Sequence, residues 1–496
     1  MGAHMMGTHQ PQSELFSYQV DLERRVHAQH PLRRVLAQVD FTFAREVVGH
    51  TYGQNGHVSL DPAVLLKLMF LLFQENIRSE RELMRRVPER LDWLWFLGYG
   101  LDDAIPDHSV LSKARKRWGG ELFETLFVRT VRQCVEAGLV DGTKVHLDGS
   151  LIDADASRDS VVKADPATIA RIKAAYAAQE RKLDDTAPPS ARTDINRRLV
   201  STTDPDAPCV SKGPASGTAR PRYKAHRMVD DRCGVITATA TTPGDIAEPG
   251  QTLPLIAQHE DNTGREVAAA VADRGYGTVE NYCDLVERGI RPHVSPMLPA
   301  DHRREGRFTK DDFLYDAASD RYVCPAGQSL RPKRTHQRRQ MTDYVADKKV
   351  CALCPRRERC TNSKLGRSIA RHWKEETLEF ARAISRLPEA YADRARRRHL
   401  MEGSFARSAN LHHFKRARWR RLWRQQIQDH LIAAVQNIAI LCGTVPTAVG
   451  ARLPVRPKAV RGSSGAASAA VRFAFSGPHD PAGEFPAGQI DVRLAA

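Results

Sequence analysis

No apolar run in this chain is long enough to cross a membrane. A spanning helix needs about 18 or more uninterrupted apolar residues. The most apolar stretch, AVLLKLMFLLF (63–73), is shorter and contains Lys67, so it reads as a buried helix. Cysteine is scarce, nine in 496 residues. That excludes a disulfide framework and reads as intracellular usage. The opening MGAHMMGTHQ lacks the charged-then-apolar layout of a signal peptide, and a cytoplasmic location follows as the expectation. Acid is also in short supply: 59 Asp and Glu against 75 Lys and Arg leave a formal net charge of +16. An excess of that size points to a polyanionic partner, most often nucleic acid.

What is present organises the chain into segments. Residues 1–11 read as a disordered or vector-derived N-terminus. Residues 12–140 read as mostly helical. Asp61 followed by Pro62 is an N-cap signal, and Ser79 with Glu82 forms a capping box. IPDHSVLSKARKRWG (105–119) predicts a turn and then a helix bearing Lys113, Arg115, Lys116 and Arg117. Short helices with a basic end fit a helix-turn-helix-like DNA-binding region. A helical dimerisation or packing domain with a solvated basic face fits equally. Near residue 143 the pattern changes to strand, strand, strand, helix, strand, helix, strand, which predicts a mixed sheet flanked by helices over 141–299. A polar insert occupies about 158–221. A basic, cysteine-bearing insertion spans 300–370, helices resume over 371–445, and 446–496 is low-complexity tail.

The chemistry-bearing residues are acids in basic or apolar surroundings. VHLDGS predicts Asp148 at the end of the first core strand, and VADRGYG predicts Asp273 at the end of a later one. Ligand sites form at such strand ends in open sheets. Two carboxylates brought together repel, and a divalent cation with a taste for oxygen, Mg²⁺ or Mn²⁺, relieves the repulsion. Between Arg394 and Arg424 there are eleven Lys or Arg, and Glu402 is the sole acid. A third metal-holding carboxylate on a DNA-facing helix accounts for it. Taken singly, each aspartate also fits an ordinary turn former, and Glu402 also fits a relief of repulsion among arginines.

Several stretches together resemble the bacterial insertion-sequence DDE transposases, and within them the insertion-sequence eleven-eighty-two group, related to the insertion-sequence four/five superfamily. They are PDHSVLSKARKRWG, VHLDGSLIDADAS, RYKAHRMVD, GVITATATTPGD, VADRGYG, CPAGQSL, CALCPRRERCT and the Glu402 helix, in family order over about 12–445. The resemblance implies an α/β fold with an RNase H-like core. It implies that Asp148, Asp273 and Glu402 form a catalytic triad holding two Mg²⁺ (or Mn²⁺) ions. It further implies binding to terminal inverted repeats, cleavage at the element ends and joining of a 3′-hydroxyl to target DNA, in a homodimer or larger assembly. Arg398 fits the family's arginine four residues before the glutamate. Ala395 and Ala409 stand where the family has tyrosine and lysine, so Arg407 or Lys415 is left to contact phosphate, with Arg274 beside Asp273. A transposase-derived DNA-binding protein that has lost transposition, or an RNase H-like nuclease, are the alternatives.

Cys324, Cys351, Cys354 and Cys360 give the spacing of a structural Zn²⁺ site, or of four free thiols. Around them Arg331, Lys333, Arg334, Arg338 and Arg339 suggest a basic ribbon-like insert that grips DNA. His226 reads as a core histidine or a metal neighbour, and Asp153 as the rival to Asp148. Trp419 and Trp423 read as core packing or as platforms for unpaired bases.

Overall fold

Asp61 opens the most apolar helix. Its carboxylate accepts the backbone N–H of Ala63, and Pro62 fills the first turn of α1 (Pro62–Gln74). Eleven of the thirteen residues of α1 are buried, so it is the axis of the helical region and not a surface helix. Ser79 caps the helix Glu80–Arg86 by accepting from the N–H of Glu82. The Glu82 carboxylate turns to Arg85 and Arg86 instead of closing the box. Helices α2 (Ser109–Trp118) and α3 (Glu121–Glu136) complete the region. The computed structural model describes residues 20–53, 59–179, 199–211, 219–295 and 306–443. The N-terminal stretch 1–11 and the tail 446–496 lie outside these.

Beyond Glu136 the periodicity changes and strands begin. They are β1 (Lys144–Asp153), β2 (Arg220–Asp230), β3 (Ile236–Pro243), β4 (Ala269–Ala272) and β5 (Arg291–Val294). They make one sheet in the order β3-β2-β1-β4-β5, and the short strand Cys209–Val210 also pairs with β2. β1, β2 and β3 are antiparallel neighbours, β4 lies parallel to β1, and β5 parallel to β4. Parallel neighbours need crossovers. Helices α4 (Thr252–Thr263) and α5 (Val279–Glu287) lie in those connections. The polar insert expected over about 158–221 contains that short strand, and within it Leu199–Ser201 pairs with Val161–Lys163.

β1 alternates between two environments, as a strand buried on both faces of a sheet must. Val145 and Leu147 enter an apolar cluster with Leu255 and Ile256 of α4. Lys144, His146 and Asp148 face the other way, beneath α7 (Pro388–His412). α6 (Glu375–Ser385) sends Leu378 and Ala381 into the cluster of Val145 and Leu147, and α8 (Leu422–Leu441) packs with Ile152 in a larger one. A single apolar cluster runs from Leu32 through α1 to Ile152 and Tyr223 of the sheet and Ile432 of α8. The helical region therefore shares its core with the sheet.

The cysteine-bearing insertion leaves the sheet after β5. Its strands β6 (Leu314–Asp316), β7 (Arg321–Val323), β8 (Ser329–His336), β9 (Met341–Ala346) and β10 (Ser368–His372) form an antiparallel sheet in the order β10-β9-β8-β7-β6. Phe313, Tyr322, Leu330, Tyr344 and Ile369 give it a small core of its own. Among the described residues no helix is long and apolar enough to cross a membrane.

Candidate active site

β1 outlasts its parallel neighbour. β4 stops at Ala272, while pairing with β2 carries β1 on to Asp153. The parallel register sets Lys144 against Ala269 and His146 against Val271. Continued by two residues, it sets Asp148 beside Asp273. Asp273 ends its strand, as its sequence context predicts. Asp148 does not: it lies mid-strand, because β2 holds β1 straight for five residues more. At the far end, Asp153 donates its N–H to the Lys415 carbonyl at 3.0 Å and accepts from the Ala417 N–H at 2.8 Å. Between Asp148 and Asp153 the edge of β1 away from β2 is therefore open, bounded by Asp273 on one side and by 415–417 on the other.

Both carboxylates are fixed by the backbone that follows them. Gly149 N–H donates to Asp148 Oδ1 at 2.8 Å, and Gly275 N–H to Asp273 Oδ1 at 2.8 Å. The second oxygen of Asp148, Oδ2, lies 3.1 Å from Arg397 Nη1. Burial pushes the Asp148 carboxyl above its ordinary value. The Arg397 guanidinium pulls it down, and the negative charge of Asp273 pushes it up again. Tyr276 walls the site from below; burial first, and then the charges of Glu248, Asp148 and Asp273, raise its phenol. Glu248 lies so close over Gly149 that a Cβ there would stand 2.9 Å from its carboxyl carbon. Lys224 Nζ is 3.4 Å from Glu248 Oε1.

α7 covers the polar face of β1 almost residue by residue. Lys144 Nζ is 2.9 Å from Asp393 Oδ1, and Arg397 Nη1 is 3.1 Å from Asp148 Oδ2. On β2, Arg227 stands opposite Asp148 and donates to the hydroxyls of Ser404 and Ser408, both at 2.9 Å. The buried positions Asp393, Met401, Ser404 and Ser408 mark the sheet-facing stripe of α7. Glu402 sits beside this stripe, exposed, one turn after the exposed Arg398. Among the described residues no hydrogen bond or ion pair holds the Glu402 carboxylate. The structure thus brings Asp148 and Asp273 together and sets Glu402 on the helix that covers them, without contact to either. The donor set, carboxylate oxygens around a half-buried acid, suits a hard divalent cation.

The predicted DNA-facing residues divide. Lys113, Lys116, Arg117, Arg274, Arg398 and Lys415 are exposed, and Lys415 Nζ reaches Ser150 Oγ at 2.6 Å on the open edge of β1. Arg407 is half-buried, and burial lowers it from its ordinary value. Arg115 corrects the expectation. It is 3% exposed, forms an ion pair with Glu80, and lies 3.9 Å over the ring of Trp419. The helical period turns it inward with Leu111 and Ala114. Trp419 and Trp423 pack against the large apolar cluster. His226 is buried, its Nε2 2.8 Å from Thr242 Oγ1, and burial pushes it down to about 3. Asp153 is taken by Arg222 at 2.6 Å.

Cys324, Cys351, Cys354 and Cys360 line one small cavity in the insertion. Gln328 N–H donates to Cys324 Sγ at 3.3 Å. A thiolate set of this kind suits Zn²⁺, which holds sulfur at about 2.3 Å. Elsewhere, His293, Glu389 and Asp393 bring ligand atoms within 4.8 Å of one another. Lys144 and Arg291 already pair with this group. Sequence reasoning missed three residues of the site: Arg397, Glu248 and Tyr276. Arg397 lies four residues from both Asp393 and Met401 and so shares their face, which only the sheet marks as the inward one.

Comparison with known proteins bears on two segments. Residues 20–117 match the family described as "Transposase domain (DUF772)", and residues 323–442 match "Transposase DDE domain". The second includes Arg397, Glu402 and the four clustered cysteines. Neither includes Asp148 or Asp273. No curated protein matches the chain significantly. Among solved structures, a piggyBac transposase synaptic complex with hairpin DNA aligns at 9% identity and a TM-score of 0.35, over 83% of this chain and 74% of that one.

Proposed function

We propose that the chain is a DDE transposase with an RNase H-like core, of the insertion-sequence eleven-eighty-two group. One observation carries the reading. Asp148 and Asp273 stand side by side where the parallel pair β1 and β4 ends, beneath the helix that bears Glu402. The sheet order β3-β2-β1-β4-β5, with only the last two strands parallel to β1, supports the RNase H-like assignment. The two transposase-domain matches support the activity.

Asp148, Asp273 and Glu402 would hold the divalent ions. Bound there, divalent ions would supply Lewis-acid chemistry for phosphoryl transfer, favouring the attacking and the leaving oxygen. The chain's own residues do the rest. The N–H groups of Gly149 and Gly275 fix the carboxylates before DNA arrives. Lys415, Arg274 and Arg398 hold the scissile strand by its phosphates along the open edge of β1. Lys113, Lys116 and Arg117 bind flanking duplex at an inverted repeat. Tyr276 and Glu248 close the floor against the apolar core. Water attacks the phosphodiester at the element end and breaks its bond to the 3′-oxygen, freeing a 3′-hydroxyl; that hydroxyl attacks a target phosphodiester and expels the target's own 3′-oxygen, with two ends held by a dimer or larger assembly in the cytoplasm. The four cysteines are assigned a structural Zn²⁺, which an element count by mass spectrometry tests. One zinc per chain is expected, and none would sink that assignment.

The deciding experiment is cleavage of DNA carrying the element's ends by wild type and Asp273→Asn, with and without Mg²⁺. Cutting at the ends by wild type alone, and only with metal, is expected. Binding without cutting would favour a DNA-occupying protein. Cutting without regard to sequence would favour a general nuclease.

A further inference from the structure

The hairpin of the insertion carries charge that the rest of the described chain does not neutralise. β8 and β9 are joined by a tight turn at Gln337–Arg339. Arg331, Lys333, Arg334, Arg338 and Arg339 are all exposed. Among the described residues none of the five has an acidic partner or a hydrogen bond from its side chain. Arginines elsewhere in the same insertion are tied down. Arg321 pairs with Asp316 and Arg371 with Glu376, while Arg356 donates to the Pro325 carbonyl and Arg367 to that of Cys360. Asp343 is the sole acid between Ser329 and Ala346, and His336 takes it at 2.9 Å.

The register sharpens the point. Arg331 faces Val345 and Arg334 faces Asp343, with an irregularity between Pro332 and Arg334. Val345 and Asp343 share a face, so the bulge turns Arg334 onto the side of Arg331. Tyr344, between them, points into the small core. One face of the hairpin is thus apolar and spoken for, while the other face and the tip are cationic. Like charges so arranged repel, and a regular array of anions relieves them. β10 pairs with β9 from Met341 to Val345, so the cationic side is the outer face of a sheet, free to lie along the phosphates of a duplex. At about 3.3 Å per residue, the eight residues of β8 span roughly 26 Å, more than seven base-pair steps at about 3.4 Å each.

We propose that the β8–β9 hairpin binds duplex DNA by its phosphates, independent of base sequence and apart from the carboxylate site. Arg331 and Arg334 on the outer face and Arg338 and Arg339 at the tip contact backbone oxygens, with Lys333 at the bulge. The inference rests on the DNA-processing reading and adds a second anchoring surface to it.

The test replaces all five residues by glutamine in the full chain. Anisotropy titrations then follow binding of an end-carrying duplex and an unrelated duplex across a salt series, without added Mg²⁺. Each phosphate contact contributes about 0.9 to the slope of log affinity against log salt. The slope is expected to fall by about 3 to 5 on both duplexes, with affinity at least tenfold weaker at about 0.15 M salt. Exposed side chains predict an unchanged melting temperature, which shows that the variant folds. An unchanged slope would overturn the proposal, as would loss confined to the end-carrying duplex, or to heparin or anionic vesicles run in parallel. Wild type that binds duplex through the hairpin but never cuts element ends would leave the hairpin standing and sink the transposase reading. Wild type that binds no duplex would sink both.

Discussion

Arg397 Nη1 lies 3.1 Å from Asp148 Oδ2 and also donates to the carbonyl of Leu147 at 3.3 Å. A positive charge therefore already sits on the oxygen that a divalent cation would take. Two unit charges about 4 Å apart interact by about 1 kcal/mol in water and about 4 kcal/mol near a protein surface. Arg397→Gln is expected to tighten Mn²⁺ binding to the DNA-free protein at least fivefold at pH 8, read by calorimetry or electron paramagnetic resonance. Weaker binding would show instead that Arg397 serves to hold the carboxylate in place.

Arg115 gives a prediction of the opposite kind. It is buried against Glu80 and Trp419. Removing one partner of a buried ion pair costs about 3–5 kcal/mol, because it strands the other. Arg115→Ala should lower the midpoint of urea unfolding strongly, while the remaining folded protein binds duplex as wild type does. A pure loss of DNA affinity at unchanged stability would return Arg115 to the DNA-binding face.

Gly277 closes the turn after Asp273. Its φ is ordinary, and what it lacks is space: an added Cβ would lie 2.5 Å from the Ser295 carbonyl and 3.1 Å from the Tyr282 hydroxyl. Overpacking of this kind costs about 1–3 kcal/mol. Gly277→Ala should therefore lower the melting temperature and, by shifting the turn, cut cleavage more than it cuts DNA binding.

Asp204 makes stability depend on pH. It is fully buried, accepts the Tyr223 hydroxyl at 2.8 Å, and burial pushes it up to about 7 from 3.8. The folded state thus holds a proton that the unfolded state releases. Its contribution is largest below the unfolded value and is lost as pH rises through 7. The full span corresponds to at most about 4 kcal/mol. Between pH 5.5 and 8.5 wild type should lose more stability than Asp204→Asn, as read from urea midpoints. Parallel losses in both proteins would exclude Asp204 as the source.

Much of this architecture is legible in the chain because local signals agree with the fold. Asp61-Pro62 caps α1, Ser79 caps its helix, and the alternation in GVITATATTP marks β3. What escapes is whatever depends on a partner distant in sequence. Asp148 is mid-strand because β2, some eighty residues later, keeps pairing with β1. Arg397, and not Arg398, meets Asp148 because the sheet fixes which face of α7 turns inward, and three successive arginines give no hint of it. Arg115 looks like its exposed neighbours Lys116 and Arg117 until Trp419 is placed over it. Glu248 carries no local mark at all, since only the fold sets it above Gly149.

The bridge between Asp153 and Lys415–Ala417 has a consequence for synthesis. The ribosome delivers both aspartates by residue 273, yet the far rim of the cleft is made by chain that emerges about 140 residues later. A product released between Asp273 and Arg397 carries the paired aspartates on an open sheet edge, with neither Arg397 nor Glu402 above them. Translation thus sets a time as well as a geometry, and the cleft is complete only once α7 and residues 415–417 have been made.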